Sequence, residues 1–548
     1  MGGYSGHVDT FASDNLPPRE AWPELLFDLP ELRYPERLNA ARALLDDMSE
    51  GAAGDRRCVH TDEGVWSYGD LLEKANRLAR VLVEDMGLVP GNRVLLRAPN
   101  TPMLIATWFG VLKAGGVVVA TMPLLRAGEL ATIVHKAQIS HALTDAPLTE
   151  DLETARADQP VLSHVMTFGP GGELEARMET KPPHFETVET AAEDVALIAF
   201  TSGTTGDPKG CMHFHRDILA VCDTFARHLL DPQPDENFTG TPPLAFTYGL
   251  GGLVLFPMRF GASTTPIAQP GPEALLGTIE THRVTTLFTA PTAYRALLDR
   301  VGETDISSLR KCVSAGESLP RATSDSWFER TGIRIVDGIG STEILHIFIS
   351  AAGNDIRPGS TGKPVPGYTA MVADDNMRPL PPGEVGRLAV RGPTGCRYLA
   401  DPRQAKYVID GWNVTGDAYK MDEDGYFWFQ ARTDDMIVSS GYNIAGPEVE
   451  AALMEHEAVG ECAAVGVPDQ ERGQIVKAFI VAREGATGSE SLIGELQDFV
   501  KSRIAPYKYP RAIEFLDALP KTQTGKIQRF RLRERELEQA EAHRSASE

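Results

Sequence analysis

The segment that decides the fold is VALIAFTSGTTGDPKG, residues 195–210, in which an apolar run leads directly into a loop of small and hydroxyl residues. The run predicts a buried strand, and the loop holds Gly203, Gly206, Lys209 and Gly210. Glycines let backbone N–H groups approach a phosphate, hydroxyls add donors, and lysine adds positive charge. The loop therefore predicts a polyphosphate site. A solvent-exposed turn is the alternative, and the GxxxxGK[ST] spacing of a Walker A loop is absent.

Helical and strand-like patterns alternate on both sides of this segment. Between Trp66 and Thr144, a helical pattern is followed by the strand-like runs NRVLLRA and GVVVATM, and this alternation favours βαβ units with parallel strands. An amphipathic helix is predicted over residues 35–48, ahead of a strand near Cys58. Further strands are predicted at residues 197–200, 262–266, 286–289 and 334–336.

After about Gly362 the sequence pattern changes to short predicted strands and turns, which favours a small β subdomain. A second change comes at ARTDDMIVSSGYN, residues 431–443, and the chain beyond it has its own strands and amphipathic helices. We therefore predict an α/β fold. Its large N-terminal domain, residues 1–432, has parallel-rich α/β subdomains plus the small β subdomain, and a small mobile α+β C-terminal domain spans residues 433–548.

A second chemical signal is RIVDGIGSTEILHIF, residues 334–348, where a strand leads into a turn that ends in Thr342 and Glu343. A carboxylate beside a phosphate loop is explained if a divalent cation bridges the two, so Glu343 is a candidate Mg²⁺ ligand. Taken alone, it is equally explained as an acidic residue at a helix N-terminus.

Five motifs occur in a fixed order: TSGTTGDPKG, DGIGSTE, TGD at residues 415–417, ARTDDMIVSSGYNIAGPEVE and PKTQTGKIQR. Together they resemble the signature set of the adenylate-forming superfamily of acyl-CoA synthetases, peptide-synthetase adenylation domains and firefly luciferase. The resemblance covers nearly all of the chain after the first sixty residues. It implies a large N-terminal domain, a mobile C-terminal domain, a hinge at Asp434, and ATP, Mg²⁺ and coenzyme A as reactants.

The resemblance also implies roles for individual residues. Thr342 would contact the α-phosphate, Glu343 would bind Mg²⁺, and Asp417 would hold both ribose hydroxyls beside Arg432. The remaining ATP-binding positions would be Thr201, Ser202, Gly203, Thr204, Thr205, Gly206 and Lys209 at the phosphates, and Gly316, Glu317, Asp337, Gly338 and Ile339 at the adenine. Asp417 and Arg432 are otherwise explained as ordinary surface charges.

The last two motifs imply contacts for the two steps of the reaction. Lys526 would bridge the substrate carboxylate and the α-phosphate; outside its motif it would be one more basic residue of a charged tail. Gly441 would lie beside the pantetheine tunnel of CoA, flanked by Ser440 and Tyr442. One departure concerns Val438, which occupies a position where the family often has lysine, so no second basic residue is expected there.

Within the superfamily, PPLAFTYGLGG and GIGSTEILHIFIS resemble the benzoate and 2-aminobenzoate (anthranilate) CoA ligases, as does the segment at residues 7–47. Aromatic side chains would wall the ring, glycines would leave room for it, and a threonine hydroxyl would bind an ortho-amino group. The predicted acid pocket comprises Phe246, Thr247, Tyr248, Gly249, Gly338, Ile339, Gly340 and His346. Core packing is the alternative for each aromatic residue taken singly.

Bulk composition limits the partners. The chain has 53 Lys and Arg against 76 Asp and Glu, a formal net charge of -23, which disfavours nucleic acid. The longest apolar region is interrupted by Lys113 and Pro123, so we expect no membrane span. The N-terminus lacks the pattern of a signal or transit peptide, and the six scattered cysteines suit reduced thiols, so we expect a cytoplasmic protein. The oligomeric state is undecided, with a homodimer as one option.

Two other functions are compatible with these motifs. A stand-alone adenylating enzyme would hand its aryl group to the phosphopantetheine of a carrier protein instead of to free CoA. An ATP-binding regulatory protein would have lost catalysis, although Glu343 and Lys526 are both present.

Overall fold

The computed structural model describes residues 3–201, 208–432, 435–439, 442–469, 472–483, 485–486, 488–504, 506–521, 525 and 527–545. Contacts divide the chain into two compact units. The first comprises residues 1–370 and 389–414, and the second comprises residues 371–388 and 415–548. The fold is α/β, as predicted, and each unit contains its own hydrophobic core.

The segment that decides the fold lies in a six-stranded sheet of the first unit. Its neighbouring strands, in order, are His164–Phe168, His141–Asp145, Arg93–Arg97, Val117–Thr121, Val195–Thr201 and Lys209–Phe214. All pairs are parallel except the last. The continuous apolar run of Val117–Thr121 is explained by this position, because strands of a parallel sheet are covered on both faces.

A nine-stranded sheet forms the rest of the first unit's β structure. Its order is Lys363–Pro364, Ile347–Ser350, Ile335–Gly340, Lys311–Ser314, Thr286–Thr289, Asn237–Gly240, Ser263–Thr264, Arg57–Thr61 and Gly64–Ser67. The six strands from Ile335–Gly340 to Arg57–Thr61 pair in parallel. The strands predicted near residues 58, 197–200, 262–266, 286–289 and 334–336 are confirmed.

Helices surround these two sheets. Tyr68–Arg80 begins at a capping box formed by Ser67 and Asp70, and Pro102–Lys113 begins with proline in its first turn. The other α-helices of this unit are Phe11–Asp14, Ala127–Ala137, Thr149–Asp158, Leu174–Glu179, His215–Val221, Thr247–Leu250, Phe256–Phe260, Pro272–His282, Pro291–Leu298, Arg321–Thr331 and Gln404–Tyr407. The π-helical segments are Arg42–Asp46, Val81–Asp85, Cys222–Leu230 and Gly251–Leu255.

The helix predicted over residues 35–48 begins later than expected. Helical structure starts at Ala40 and continues through Arg42–Asp46 to a 3-10 turn, Asp47–Ser49. Asn39 Oδ1 accepts a hydrogen bond from Ala41 N at 2.9 Å, so its side chain satisfies a backbone donor at the helix start. The predicted start at residue 35 was therefore wrong.

The first forty residues pack against the segment that follows Gly392. Leu26 N donates to Gly392 O, and Ala400 N donates to Asn15 O. The Trp22 ring lies under the Arg397 guanidinium at 5.3 Å. This lead-in therefore covers the chain segment that contributes Tyr398 to the site described below.

The second unit combines β and α structure. A small sheet, most of whose residues belong to this unit, has the order Thr369–Ala373, Val385–Arg391, Trp412–Met421 and Val408–Ile409, with Phe427–Arg432 paired to Trp412–Met421. Its strand Val408–Ile409 falls within residues 389–414, which are assigned to the first unit. The later part of the chain forms the hairpin Met436–Ser439 with Tyr442–Ala445 and the sheet Val459–Asp469, Gly473–Ala482 and Ala512–Phe515. Its helices are Gly446–Met454, Glu490–Arg503 and Arg529–Ser545. The predicted small β subdomain and α+β C-terminal structure are both present.

The compact units do not coincide with the predicted boundary between residues 432 and 433. The second unit also takes in residues 371–388 and 415–432, which contain most of the small sheet. Residues 437–515 nevertheless share one buried apolar cluster of their own. Asp434 lies outside the described residues, so the boundary and the hinge remain predictions.

Two bulk expectations are tested by the structure. None of the helices it describes has the length and apolar character needed to cross a bilayer. All six cysteines are free and buried.

Candidate active site

The predicted phosphate loop joins two antiparallel strands. Thr201, the last residue of one strand, pairs with Lys209, the first residue of the next, so the two ends of the loop lie side by side. Thr201 Oγ1 is buried and has no hydrogen-bond partner within the described part of the chain. The predicted positions Ser202, Gly203, Thr204, Thr205 and Gly206 lie outside the described residues.

The structure brings Lys209 and Glu343 together, 134 positions apart in the chain. Lys209 Nζ lies 3.4 Å from Glu343 Oε1 and donates to the hydroxyl of Tyr398 at 2.9 Å. The Tyr398 hydroxyl in turn donates to Glu343 Oε1 at 2.5 Å. Burial, followed by the charge of Glu343, raises the pKa of Tyr398, so its hydroxyl stays protonated and donates.

Tyr398 was missed in the sequence because nothing in TGCRYLADP marks it as functional. Its ring is almost fully buried and packs against Tyr407, with the centroids 5.9 Å apart. Contact between this tyrosine and Glu343 depends on tertiary structure, which local patterns do not reveal.

Thr342 and Glu343 lie in a short 3-10 turn, Thr342–Ile344, after the strand Ile335–Gly340. Ser341 Oγ accepts from Ile344 N at 3.3 Å and caps the turn. Thr342 Oγ1 makes no hydrogen bond to any described residue, so it is available to a ligand. Glu343 is mostly buried.

The predicted adenine residues belong to two adjacent parallel strands: Asp337, Gly338 and Ile339 lie within Ile335–Gly340, and Gly316 and Glu317 follow the end of Lys311–Ser314. Asp337 pairs with Ser314 across them, and both side chains have a buried oxygen without a partner among the described residues. Burial raises the pKa of Asp337 to about 8. Gly316 has φ +89°, and the half-buried Glu317 accepts a hydrogen bond from Thr292 Oγ1 at 3.0 Å. Unpaired polar atoms of this kind suit a base that offers both donors and acceptors.

The predicted acid pocket centres on Tyr248 and His346, whose rings are 5.7 Å apart. His346 is 2% exposed and also lies against Phe225 and Phe256, with centroids at 5.6 and 4.5 Å. Burial lowers the pKa of His346 to about 3, so its imidazole is neutral, and Nδ1 has no partner among the described residues. Phe225 and Phe256 lie in helical segments that carried no recognised motif and were missed.

Tyr248 is fixed from two sides. Its hydroxyl lies within hydrogen-bond distance of the carbonyls of Thr289 and Val313, at 3.2 and 3.1 Å. Its own carbonyl lies 3.4 Å from His346 Nε2. Thr247, 8% exposed, makes no side-chain hydrogen bond within the described region. Phe246 is half-buried and precedes the helix Thr247–Leu250.

The glycines of the predicted pocket have a different explanation from the one expected. A Cβ on Gly338 would lie 2.7 Å from the Ile347 side chain, and one on Gly340 would lie 2.8 Å from the His346 backbone. A Cβ on Gly249 would lie 2.1 Å from Pro243 O. Each of these glycines therefore permits a close contact with its neighbour, and their place in the acid pocket remains a prediction. Ile339, half-buried, lies between two of them.

In the second unit, Asp417 and Arg432 are paired across neighbouring strands, with Arg432 Nη1 2.9 Å from Asp417 Oδ1. The Asp417 side chain is mostly buried, whereas that of Arg432 is about half exposed. Tyr442 begins the strand Tyr442–Ala445. Four other predicted positions, Asp434, Ser440, Gly441 and Lys526, lie outside the described residues.

Comparison with known proteins identifies the class. Residues 47–398 match the model of the AMP-binding enzyme family, and residues 448–526 match that of the AMP-binding enzyme C-terminal domain. The chain therefore belongs to the AMP-binding enzyme family, the adenylate-forming acyl-CoA synthetases that its motifs indicated.

Several of the relatives are named as CoA ligases of aromatic acids. The chain is 36% identical over 513 residues to the benzoate–CoA ligase of Thauera aromatica, covering 92% of this chain and 97% of that protein. It resembles the crystal structure of the anthranilate CoA ligase AuaEII in complex with anthranoyl-AMP, with TM-score 0.87, 34% identity, and coverage of 93% and 99%. It also resembles a benzoate CoA ligase from Burkholderia xenovorans LB400, with TM-score 0.82, 32% identity, and coverage of 90% and 100%.

Proposed function

We propose that this AMP-binding enzyme is an AMP-forming ligase that activates benzoate or 2-aminobenzoate with ATP and transfers the acyl group to coenzyme A. The observation that carries the proposal is that Glu343 and His346 lie only a few residues apart in the sequence and belong to two different clusters of side chains. Glu343 belongs to the cluster with Lys209, and His346 belongs to the buried aromatic group with Tyr248. One short segment therefore contributes both to a charged cluster suited to phosphate and to an aromatic cluster suited to a ring.

The first step joins the acid to AMP. A carboxylate oxygen of the acid attacks the α-phosphorus of ATP, the bond from that phosphorus to the bridging oxygen breaks, and pyrophosphate leaves. Lys209 and Thr201 lie at the two ends of the phosphate loop, where ammonium and hydroxyl donors stabilise the phosphate oxygens. Thr342 Oγ1 is available to the α-phosphate, and Lys526 would bridge this phosphate and the carboxylate.

Glu343 fits the role of Mg²⁺ ligand. Its Oε2 accepts no hydrogen bond from any described residue, whereas Oε1 is held by Tyr398 and Lys209. Magnesium is commonly bound through one or two carboxylates together with substrate phosphates, so a single free carboxylate oxygen suits it. When bound, the ion would neutralise charge on the phosphoryl oxygens.

The second step transfers the acyl group to CoA. The thiol sulfur attacks the acyl carbon of the adenylate, its proton is lost, and AMP leaves. Ser440, Gly441 and Tyr442 are the proposed CoA contacts, and a hinge at Asp434 would allow the C-terminal domain to serve each step in turn.

The aromatic group around His346 supports an uncharged ring as the substrate. Burying one face of a benzene ring rather than an acetate methyl group gains a few kcal/mol, at about 25 cal/mol per Å². The imidazole of His346 is neutral, so it offers no compensation for a charged substituent brought into this apolar surrounding. Aliphatic acids and acids with a charged para substituent are therefore expected to be poor substrates.

The unpartnered hydroxyl of Thr247 supports 2-aminobenzoate over benzoate. It would accept a hydrogen bond from the ortho-amino group, which otherwise bonds to water. Because one neutral hydrogen bond replaces another, the preference should amount to only about 1 kcal/mol.

The test is a pyrophosphate-release screen with ATP over benzoate, its three amino isomers, hydroxybenzoates, phenylacetate and acetate. We expect 2-aminobenzoate and benzoate to give the highest kcat/KM, followed by thioester formation when CoA is added. Acetate outperforming every benzoate would refute the aromatic assignment. Acyl transfer to a carrier protein but not to CoA would favour the stand-alone adenylating enzyme.

Two variants of one residue sharpen the test. Thr247→Ala should narrow the gap between 2-aminobenzoate and benzoate while sparing benzoate turnover. Thr247→Ser keeps the hydroxyl and should retain the gap. If the alanine and serine variants discriminate equally well, the hydroxyl does not bind the amino group.

A further inference from the structure

Side chains from elsewhere in the first unit hold the turn Thr342–Ile344 at each of its three residues and at its cap, Ser341. One group comes from the strand Lys209–Phe214 and three come from the segment at residues 394–407. The pairs are Ser341 Oγ with Tyr407 OH at 3.2 Å, Thr342 O with His213 Nε2 at 2.8 Å, Glu343 Oε1 with Tyr398 OH at 2.5 Å, and Ile344 O with Thr394 Oγ1 at 2.7 Å.

The backbone after the turn explains why it needs external support. Leu345 has φ +75° and ψ -37°, a conformation that is unfavourable for a leucine. Such a conformation persists where its surroundings determine it from several sides. The four contacts supply that constraint and place the carboxylate of Glu343 in one position.

Tyr398 makes the two oxygens of Glu343 unequal. Oε1 is held by the Tyr398 hydroxyl and lies near Lys209 Nζ, and Oε2 has no partner among the described residues. Tyr398 is itself immobilised, since it is 1% exposed and its backbone N donates to Gln404 Oε1 at 2.9 Å. A carboxylate held by one oxygen is fixed in rotation and presents the other.

We propose that Tyr398 is a positioning residue that binds Oε1 of Glu343 and thereby directs Oε2 to the magnesium ion of MgATP. This proposal rests on the proposed function, in which Glu343 is the magnesium ligand. In this role Tyr398 acts through Glu343 rather than by contacting ATP or the acid. Its hydroxyl also accepts a hydrogen bond from Lys209, whose ammonium lies 3.4 Å from Oε1 of Glu343.

The variant Tyr398→Phe removes the hydroxyl and retains the buried ring. We expect the Kd of MgATP, measured by isothermal titration calorimetry without acid, to rise about tenfold, as for one lost hydrogen bond to a charged group. The Kd of ATP measured with EDTA should stay unchanged. The Mg²⁺ concentration for half-maximal pyrophosphate release should rise, and saturating Mg²⁺ should restore kcat.

Tyr68→Phe is the matched control. Tyr68 is also fully buried, and its hydroxyl donates to a backbone carbonyl, that of Ala262, at 2.7 Å. It has no contact with the turn, so its loss should leave both the affinity for MgATP and the Mg²⁺ requirement unchanged. A lowered Tm in both variants with an altered Mg²⁺ requirement in only one would separate positioning from folding.

A second variant covers the case in which Tyr398→Phe does not fold. Glu343→Gln should remove the advantage that Mg²⁺ gives to ATP binding, and adding Tyr398→Phe to it should change MgATP affinity no further. The proposal is overturned if Tyr398→Phe weakens ATP equally with Mg²⁺ and with EDTA, or leaves both affinities unchanged. Failure of the proposed function is distinguishable, because the wild-type protein would then release no pyrophosphate with any aromatic acid, whatever its affinity for MgATP.

Discussion

Arg432 holds Asp417 in place through its guanidinium, which donates from Nη1 to both Asp417 Oδ1 and Thr415 O, at 2.9 and 3.1 Å. Gly416 lies between the two acceptors in the chain, with φ +76°, and a Cβ there would lie 3.0 Å from Arg432 Nη2. The glycine therefore allows the arginine to lie flat against the strand. The result is a mostly buried carboxylate with a fixed orientation, which suits an acceptor for two neighbouring hydroxyls.

Asp417→Asn should raise the KM for ATP about 10- to 100-fold, because hydrogen bonds from the ribose hydroxyls to a charged acceptor would become neutral ones. The KM for the acid should not change. The measurement compares ATP with its 2′-deoxy and 3′-deoxy forms: the wild type should discriminate against both, and the variant much less. The control is Asp375→Asn, at an exposed carboxylate paired with Arg387. Equal discrimination in wild type and variant would contradict a ribose contact.

Lys526→Ala should lose adenylation by at least about a hundredfold while still converting presynthesised acyl-adenylate and CoA to thioester, because this ammonium stabilises only the first transition state. The two half-reactions are measured separately, as acid-dependent pyrophosphate release and as thioester formation. Lys521→Ala removes a partly exposed lysine of the same motif, which pairs with Glu461 at 2.7 Å, and should spare both. Equal loss of both half-reactions in Lys526→Ala would remove its proposed role.

Gly441→Leu should spare pyrophosphate release and block CoA consumption, because a side chain there would obstruct the pantetheine arm. Gly494→Leu provides a matched control: it lies in the helix Glu490–Arg503, and an added Cβ meets nothing within 4 Å. Normal thioester formation by Gly441→Leu would place the tunnel elsewhere.

Asp434→Pro should restrict the hinge, so the variant should catalyse only one of the two half-reactions.

The parts of this fold that were predictable from sequence are those governed by local pattern. The strand Val195–Thr201 and the parallel α/β alternation follow from apolar runs and helical periodicity. The helix start at Ala40 was missed because a single side-chain hydrogen bond from Asn39 decides it. The compact units group residues 371–388 and 415–432 with the C-terminal part of the chain, a division that composition does not express, and the predicted domain boundary remains a prediction.

The site divides in the same way. Lys209 and Glu343 were predicted to be near each other because a divalent cation would bridge the phosphates and the carboxylate. Lys209 Nζ lies 3.4 Å from Glu343 Oε1. Tyr398 and His213 were missed because their function depends on the distant turn that they contact. Space for the ring was expected at Gly338, but the side chain of Ile347 lies where a Cβ of residue 338 would be in close contact with it. Packing between strands can therefore require a glycine as well as a ligand can.

The carboxyl of Asp337, whose Oδ1 is buried, should make the stability of the protein depend on pH. The pKa of Asp337 is about 8 in the folded state, against an ordinary value of 3.8. Between these two pH values, the Asp337 carboxyl is therefore ionised in the unfolded chain and protonated in the folded protein. Fewer protons are then bound in the unfolded state, and the free energy of unfolding falls as pH rises, by at most about 1.4 kcal/mol per pH unit. Below about pH 4 this effect is absent, and above about pH 8 the loss is complete.

Asp337→Asn should remove this dependence, because an amide of the same shape carries no titrating proton. The Tm of the variant should therefore rise relative to wild type as pH increases from about 5 to about 8, the window in which only the folded carboxyl keeps its proton. Differential scanning calorimetry at several pH values measures the difference. Asp305→Asn is the control: Ser307 and Arg283 lower the pKa of exposed Asp305 to about 2, so its contribution is already constant above about pH 4. A Tm difference for Asp337→Asn that stays constant across the window would show that Asp337 is ionised in the folded protein.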